Sequence, residues 1–294
     1  MSFLKVENLK VDIPVAAGAL HAVRGISFEV EKGETLCIVG ESGCGKSLTS
    51  LALMDLLPSK AIRTADRIEM DGIELQSIGR RRMSDLRGDR LSMIFQEPMT
   101  SLNPAYTIGD QLMEAYLRHH RAPRAEARER AVFLLDKVGI SAAESRLKQY
   151  PHQLSGGLRQ RVMIAMALMC GPELIIADEP TTALDVTIQA QILRLLADLQ
   201  REFGMAMILI THDLGVVARV AHKVAVMYAG EVVESGPAKQ VFDAPAHPYT
   251  RGLLECIPVP GKTPPGARLG AIPGVVPSLI GDVRGCAFRD RCPA

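Results

Sequence analysis

The residues best suited to chemistry lie in one glycine-rich segment, Gly40–Ser47, which reads Gly-Glu-Ser-Gly-Cys-Gly-Lys-Ser. This is the pattern G-x-x-x-x-G-K-[ST], whose glycines allow backbone N–H groups to turn inward around an anion. A buried strand is predicted at 36–39, and a helix of about residues 46–57 follows, so the helix N-terminus adds partial positive charge. We expect Lys46 to reach the β- and γ-phosphates of a nucleotide, and Ser47 to bind Mg²⁺. The predicted nucleotide-binding residues of this loop are Gly40, Ser42, Gly43, Cys44, Gly45, Lys46, Ser47 and Leu48.

Two adjacent acids form a second group of candidate catalytic residues. Asp178 and Glu179 directly follow the apolar run Leu174–Ala177. At the carboxyl edge of a sheet and beside a phosphate loop, Asp178 would hold Mg²⁺ through its water shell. Glu179 would act as the general base for an attacking water. A charged strand end that only faces solvent is the alternative, and the phosphate loop in the same chain weighs against it.

The neighbouring segments predict the elements that position these residues. Residues 3–39 alternate apolar and polar positions, which is the period of half-buried antiparallel strands. Buried strands at 174–177 and 205–210 flank a helix of about 186–203. Because strands here alternate with helices, we expect a parallel sheet in a three-layer α/β core.

The remaining segments predict a helical region, a hairpin and an irregular tail. Residues 96–154 are mainly helical in pattern, and one apolar stripe runs through Arg124–Val138, with Gly139 placed to end that helix. Residues 222–234 are typical of a hairpin, and the chain after Val241 is rich in proline and glycine. The apolar stripe consists of Ala127, Ala131, Leu134, Leu135 and Val138.

Composition limits the classes of function. The chain has 294 residues, 47% apolar, with 34 basic and 33 acidic side chains and a net charge of +1, so bulk charge gives no nucleic-acid-binding surface. The longest apolar run, Val162–Cys170, is far below the ~18 residues that span a bilayer, and the N-terminus lacks a secretory signal. We therefore expect a soluble cytosolic protein with reduced cysteines, which reaches a membrane only through a partner.

Four short segments carry a family resemblance, and they occur once each. Leu154–Gln160, which reads Leu-Ser-Gly-Gly-Leu-Arg-Gln, resembles the signature sequence of ABC ATPases and opens an apolar helix. Phe95-Gln96-Glu97 resembles the Q-loop, Ala183-Leu184-Asp185 the D-loop, and Thr211-His212-Asp213 the switch-histidine segment. With the phosphate loop they stand in the ABC order, so the chain is identified as a member of that family.

A closer resemblance points to one subgroup. The segments at 94–104, 161–168 and 177–191 are similar to one ATPase subunit type of the oligopeptide/dipeptide importers, which include the nickel importers. Near the tail, His247-Pro248-Tyr249-Thr250 followed by Leu253-Leu254 resembles the extension of that group, so the likeness covers about residues 3–294.

The resemblance implies a fold with several parts. It is an α/β fold: a P-loop (RecA-like) ABC ATPase core with an antiparallel β-subdomain, an inserted helical subdomain at about 96–158 and an irregular C-terminal extension. The ATPase domain would be residues 1–240, and residues 241–294 would be an importer-type extension that stops short of the relatives' full tail.

The resemblance also implies roles for single residues. Gln96 would sense Mg²⁺ and the lytic water, and His212 would hold the γ-phosphate. Asp185 would link two sites across a dimer. The signature residues Ser155, Gly156 and Gly157 would contact the γ-phosphate held by a second ATPase subunit.

The expected partners and location follow from those roles. The second ATPase subunit is expected to be a different chain, which makes a heterodimer the favoured pair over a homodimer. Two membrane permease subunits and, indirectly, an extracytoplasmic solute-binding protein complete the machine, with no nucleic acid. The ATPase would sit on the cytoplasmic face of the inner membrane.

Three alternatives stay open. The same machinery could import nickel or another small solute in place of peptides, because solute choice lies in the permease and the binding protein. A soluble, non-transport ABC ATPase of DNA repair or translation is a second class, but it would carry long coiled coils or two ATPase units in one chain. An ordinary P-loop kinase or GTPase would lack the signature sequence and His212.

A cysteine pair near the C-terminus resembles part of an iron–sulfur site. Cys286 and Cys292 match the start of a cysteine-rich tail that holds a cluster in some relatives. Only two of four ligands are present, and two thiolates cannot complete such a site. A cluster is therefore expected only in a longer natural chain.

We expect this ATPase to turn over GTP and ATP at comparable rates. ABC ATPases usually stack adenine on an aromatic side chain in a segment before the phosphate loop, but residues 14–21 contain no Phe, Tyr or Trp. His21 or apolar contact would replace the ring, and base selectivity would be loose. Phosphate release measured with each nucleotide tests this expectation, and about a hundredfold preference for ATP would contradict it.

Overall fold

The architecture comes from a computed structural model, which describes residues 2–97, 101–182, 184–256, 270–281 and 285–293, apart from the side chain of Val186. The chain forms two compact units. The first consists of Met1–Ser77 with Ile210–Ala294, and the second is Ile78–Leu209.

Eleven strands and ten helices are found among the described residues. The strands are β1 (Leu4–Val15), β2 (Gly18–Val30), β3 (Thr35–Val39), β4 (Ile62–Thr64), β5 (Arg67–Met70), β6 (Ile73–Glu74), β7 (Leu91–Ile94), β8 (Leu174–Asp178), β9 (Ala206–Ile210), β10 (Lys223–Tyr228) and β11 (Glu231–Pro237). The helices are α1 (Lys46–Leu53), α2 (Arg80–Leu86), α3 (Ile108–His119), α4 (Arg124–Lys137), α5 (Ala143–Arg146), α6 (Gly156–Ala167), α7 (Val186–Phe203), α8 (Leu214–Val220), α9 (Ala238–Asp243) and α10 (Pro248–Glu255). Short 3₁₀ turns lie at Pro151–Gln153 and Arg289–Arg291.

The N-terminal part of the first unit is an antiparallel sheet. β1 pairs with β2 along almost its whole length and with β4 and β5 on its other side, and β6 continues the sheet beyond β5. In β1, Leu4 and Val6 are separated by one more exposed residue, and so are Leu9 and Val11 beyond the register shift that follows Val6; all four are at most 1% exposed. One face is therefore buried as the period of two requires, and the predicted antiparallel subdomain is confirmed.

A second group of strands in the first unit carries the phosphate loop. β3 runs parallel to β10, which pairs antiparallel with β11. Ala229 and Gly230, at the turn between them, both have positive φ, 49° and 81°, as the tight turns of hairpins require. The hairpin predicted at 222–234 is thus present, with its two strands running from 223 to 237.

The helix after the phosphate loop is shorter than predicted. α1 ends at Leu53, and Asp55 adopts the left-handed conformation with φ 52°. The N–H of Leu56 donates to the carbonyl of Leu51 at 2.8 Å, and that of Asp55 donates to Ala52 at 3.3 Å. These two bonds form a Schellman motif, which ends the helix before the proline is reached. The predicted end of this helix, at about residue 57, was therefore wrong.

The second unit combines a parallel group of strands with the helices. β7 and β8 pair in parallel, and β8 lies between β7 and β9. Every residue of these three strands is buried, as in strands that are covered on both faces. The sequence predicted β8 and β9 as buried strands, and it missed β7. α7 has the bounds that the sequence predicted. The whole apolar stripe of α4 is 0% exposed, and Gly139 follows with φ 76°, as expected of a residue that ends a helix.

Two further predictions concern the limits of the chain's parts. The second unit extends beyond the predicted helical insert, 96–158, at both ends. The domain boundary at residue 240 stays a prediction.

Among the described helices, none combines the length and apolar character that crossing a membrane requires.

Candidate nucleotide site

The phosphate loop joins the end of β3 to the start of α1, and two of its positions accept only glycine. Gly40 has φ 155°, and a Cβ there would lie 2.2 Å from the carbonyl oxygen of Met227. Gly45 has φ 101°, and a Cβ there would lie 2.3 Å from the carbonyl oxygen of Ala22. Strand backbones therefore press on the loop from outside, and any side chain at these positions would displace it.

Lys46 points its ammonium back across the loop. Lys46 is only 4% exposed. Its Nζ donates to the carbonyls of Gly40 and Glu41, each at 2.9 Å. A third contact reaches the Cys44 sulfur at 3.7 Å. The loop therefore fixes a cation at the N-terminus of α1, where helix polarity and ammonium charge both favour a phosphate. These residues fit a nucleotide triphosphate.

The other predicted residues of the loop divide by exposure. Ser42 and Gly43 are exposed at the tip, and Ser47 and Leu48 are half-buried at the start of α1. Cys44 is 0% exposed, and burial raises the pKa of its thiol. Only its backbone is available to an anion, because the thiol packs inward and stays protonated.

His212 lies in the first unit, between the last residue of β9 and the start of α8. The N–H of Thr211 donates to the carbonyl of Ile38 in β3 at 3.3 Å, which ties this segment to the strand that leads into the phosphate loop. Asp213 caps α8 by accepting from the N–H of Gly215 at 2.9 Å. The imidazole between them is exposed, so it is held by ordered neighbours and is open to a ligand.

In the second unit, the two predicted catalytic residues Gln96 and Glu179 lie in contact. The Gln96 amide donates to Oε2 of Glu179 at 3.2 Å, although 83 residues separate them in sequence. The Thr182 hydroxyl donates to the same oxygen at 2.9 Å, which sequence reasoning missed. Asp178, the last residue of β8, is 4% exposed and lies next to this pair along the chain. Glu179 itself has φ 43°, an uncommon value for a residue with a side chain.

The signature residues begin helix α6 and contact the start of α7. The Ser155 hydroxyl caps α6 by accepting from the N–H of Leu158 at 3.4 Å. A Cβ on Gly157 would lie 3.2 Å from a methyl group of Ile188, so glycine keeps the two helix starts close. Asp185 caps α7 by accepting from the N–H of Ile188 at 2.9 Å. Ser155 and Gly156 are exposed, so the N-terminus of α6 is accessible. Of the predicted D-loop, Ala183 lies outside the described residues.

Sequence reasoning also missed contacts on Glu41, the second residue of the phosphate loop. Arg291 pairs with its carboxylate, and the Tyr249 hydroxyl accepts from its N–H at 2.9 Å. The first partner is 250 residues away in sequence. No local sequence pattern signals such a pairing, because the partners lie far apart in the chain and meet only through tertiary packing.

His21, the predicted substitute for an adenine-stacking ring, is half-exposed on β2, with its Nδ1 2.6 Å from a carboxylate oxygen of Asp12. Its role toward a base stays a prediction. Cys286 is exposed and Cys292 is half-buried. Within the described ranges, neither belongs to a group of three ligand side chains that could surround a metal, so these residues do not fit a cluster.

Comparison with known proteins places the chain in a family. Residues 23–182 match the family described as "ABC transporter", which is more than half of the chain. The chain belongs to the ABC transporter family. Residues 233–294 of this ABC ATPase match a second description, "Oligopeptide/dipeptide transporter, C-terminal region". The predicted resemblance to that subgroup is confirmed.

Individual relatives agree with this assignment. The dipeptide transport ATP-binding protein DppD of Bacillus subtilis (strain 168) is 53% identical over 291 residues, which cover 99% of this chain and 86% of the relative. The protein of the same name from Escherichia coli (strain K12) is 51% identical over 293 residues, covering 100% and 89%. Among solved structures, the dimeric post-hydrolysis state of an ATP-binding cassette bound to ADP and Pi has a TM-score of 0.71 and 27% identity, covering 80% of this chain and 98% of that one.

These findings confirm the predicted fold class and the enzymatic class. The protein is an ATP-hydrolysing subunit of the ABC type, with a P-loop core and an antiparallel β-subdomain. ATP binding is shared by the family. The roles of single residues in that reaction are proposals, developed below.

Iodoacetamide at pH 8 should label Cys286 of the native protein rapidly and leave Cys37 and Cys44 unmodified. Cys286 is exposed, whereas burial raises the pKa of both other thiols. Burial also raises the pKa of Cys170 to about 11, so on the order of one thousandth of that thiol is ionised at pH 8.

Peptide mass spectrometry over a time course gives the labelling rate at each site. Protein unfolded in guanidinium is the control, in which all six cysteines should react. Labelling of Cys44 as fast as Cys286 would contradict the inward packing of the phosphate loop.

Proposed function

We propose that this ABC ATPase powers the import of dipeptides or oligopeptides through a membrane permease. The observation that carries the proposal is the match of residues 233–294 to the C-terminal region of oligopeptide/dipeptide transporters. Relatives named as dipeptide transport ATP-binding proteins align over nearly the whole chain, which supports the same substrate class.

The phosphate loop would bind the triphosphate of ATP. Lys46 would contact the β- and γ-phosphates, with N–H groups of the loop as further donors. Ser47 and Asp178, with Gln96, would hold Mg²⁺, which supplies charge neutralisation on the phosphate oxygens. His212 would contact the γ-phosphate.

Glu179 would be the general base that accepts a proton from the attacking water. A base must be held in a fixed geometry, and two donors, Gln96 and Thr182, bind the same carboxylate oxygen at 3.2 and 2.9 Å. Gln96 would thus have a second role beside Mg²⁺, because its amide orients the base. Its exposed position suits the predicted coupling to the membrane subunit.

The active unit would be a head-to-tail pair of ATPase subunits. The exposed N-terminus of α6, with Ser155, Gly156 and Gly157, would donate N–H groups to the γ-phosphate held by the second subunit. Asp185, at the neighbouring start of α7, would link the two sites. We favour a different ATPase chain as the second subunit over a second copy of this one.

Two permease subunits and, indirectly, an extracytoplasmic solute-binding protein would complete the importer, with this chain on the cytoplasmic face of the inner membrane. ATP would close the pair, because contacts to the γ-phosphate from both subunits exist only in the closed state. Hydrolysis removes that differential contact and reopens the pair.

Reconstitution of the whole transporter in vesicles tests the proposed substrate class. With ATP inside, the binding protein loaded with a dipeptide should stimulate both phosphate release and uptake of the labelled peptide. Stimulation by Ni²⁺ alone, with no response to peptides, would move the assignment to metal import. ATP hydrolysis without any permease association would favour a soluble, non-transport ATPase.

Glu179→Gln should bind ATP, trap the closed dimer and hydrolyse about 10³-fold more slowly, because the amide cannot accept the proton from water. Single-turnover phosphate release gives the rate, and size-exclusion chromatography with ATP detects the trapped dimer. Glu129→Gln, which alters an exposed carboxylate on α4, is the matched control. Near-normal turnover in Glu179→Gln would exclude this residue as the base.

Lys46→Ala should weaken ATP binding by about 100-fold, because the charge-assisted hydrogen bonds to two phosphates are lost. Titration with a fluorescent ATP analogue measures the affinity. Lys60→Ala, at an exposed lysine beyond α1, controls for the loss of a positive charge elsewhere. Unchanged affinity in Lys46→Ala would show that nucleotide binds at another place.

A further inference from the structure

Three residues hold Glu41 of the phosphate loop, one at its N–H, one at its carbonyl and one at its side chain. Its N–H donates to the Tyr249 hydroxyl at 2.9 Å, and its carbonyl accepts from the Lys46 ammonium at 2.9 Å. Its carboxylate accepts from Arg291 at both oxygens, 2.6 Å and 3.0 Å. Through this residue, the C-terminal segment is connected to the loop lysine that contacts nucleotide.

Arg291 is built into its place. Its side chain is only 4% exposed, and the two parallel bonds to Glu41 have the fork geometry of the strongest arginine–carboxylate pairs. The remaining donors reach the carbonyls of Pro273, at 2.8 Å, and Ile272, at 3.1 Å. The guanidinium also lies 5.7 Å from the ring centre of Tyr228. Such a set of bonds leaves the guanidinium a single position, so the carboxylate that it holds is equally fixed.

Tyr249 is held by ring packing. It is 0% exposed, and its ring centre lies 4.6 Å from that of Tyr228 and 5.4 Å from that of Phe288. Arg291 lies on two rings of this same aromatic cluster. The two side chains that hold Glu41 therefore belong to one packed group, which joins β10, α10 and the turn at Arg289–Arg291.

The charge of Glu41 makes this contact relevant to an anionic ligand. A carboxylate in the phosphate loop opposes the binding of a triphosphate unless a cation neutralises it. Arg291 supplies that cation from outside the loop, which leaves the charge of Lys46 available to the phosphates. Without Arg291, the negative charge of this carboxylate would remain in the loop and oppose the phosphates.

We propose that Arg291 and Tyr249 are positioning residues for nucleotide binding, which act through Glu41 by neutralising its carboxylate and fixing its backbone. The C-terminal segment would thereby set the affinity of the phosphate loop for ATP. This inference rests on the proposed role of the loop in binding nucleotide.

Titration of this chain with a fluorescent ATP analogue and Mg²⁺ tests the proposal. Arg291→Ala should raise Kd about tenfold, the effect of one charge-assisted contact, while kcat at saturating ATP in the assembled transporter changes less than about twofold. Arg289→Ala is the matched control, since this neighbouring side chain is 71% exposed and bonds Asp290. Its Kd should equal that of the parent protein.

A second carboxylate variant separates charge from packing. Glu41→Gln should bind ATP within about threefold of the parent, and Glu41→Gln combined with Arg291→Ala should restore most of the affinity that Arg291→Ala loses. A residue with only a structural role would give no such rescue. The titration measures the affinity of the folded molecules. A variant that is only less stable would therefore show fewer binding sites per chain and an unchanged Kd.

Further outcomes would overturn the inference. Equal Kd values for Arg291→Ala and Arg289→Ala, or a double variant that binds as weakly as Arg291→Ala, would show that the arginine does not act through Glu41. Should Arg291→Ala yield no folded protein, Arg291→Lys and Tyr249→Phe decide, and parental Kd values in both would reject the proposal. Lys46→Ala separates failure of the proposed nucleotide site from failure of the positioning role. If this variant keeps its affinity for ATP, the nucleotide site itself is misplaced. If it loses affinity, only the positioning role of Arg291 and Tyr249 is in question.

Discussion

The approach of strand backbones to the phosphate loop is the constraint on which the rest of the first unit depends. Gly40 lies against the carbonyl of Met227, and Gly45 lies against that of Ala22, so the loop is confined between β10 and β2. A loop confined in this way has fewer conformations open to it, which lowers the ordering entropy that anion binding would otherwise require. Lys46 then finds its place because two loop carbonyls already point toward it.

That confinement explains why distant parts of the chain matter to a short motif. The antiparallel subdomain contributes one contact, the closing hairpin a second, and the C-terminal segment the bonds to Glu41. None of these contacts would be needed if the eight residues of the loop could hold its conformation by themselves. The energetic reason is that a buried ammonium and a loop carboxylate each require fixed partners, and a flexible loop cannot provide them.

The candidate catalytic residue of the second unit, Glu179, has unusual backbone geometry. Glu179 has φ 43°, which an ordinary residue adopts only when its surroundings enforce it. Its carboxylate accepts hydrogen bonds from Gln96 and Thr182. Two hydrogen bonds fix the position of a carboxylate that would act as general base. A base in a fixed position can accept the proton as soon as the lytic water and the γ-phosphate are both bound. The exposed start of α6 fits the same scheme, because a helix N-terminus can stabilise an anion contributed by another chain.

Features with a local cause could be predicted from the amino-acid sequence. The phosphate loop and its flanking strand and helix, the alternation of β1, the apolar stripe of α4 and the bounds of α7 all follow from neighbouring residues, since side-chain period and glycine conformation act over a few positions. The resemblance identified the family from short motifs in order. The end of α1 was not predictable, because the hydrogen bonds that Asp55 and Leu56 donate in the Schellman motif carry no strong sequence signature. The contacts of Gln96 with Glu179 and of Arg291 with Glu41 were not predictable either. They span 83 and 250 residues, and such pairs form only when packing has already placed their elements.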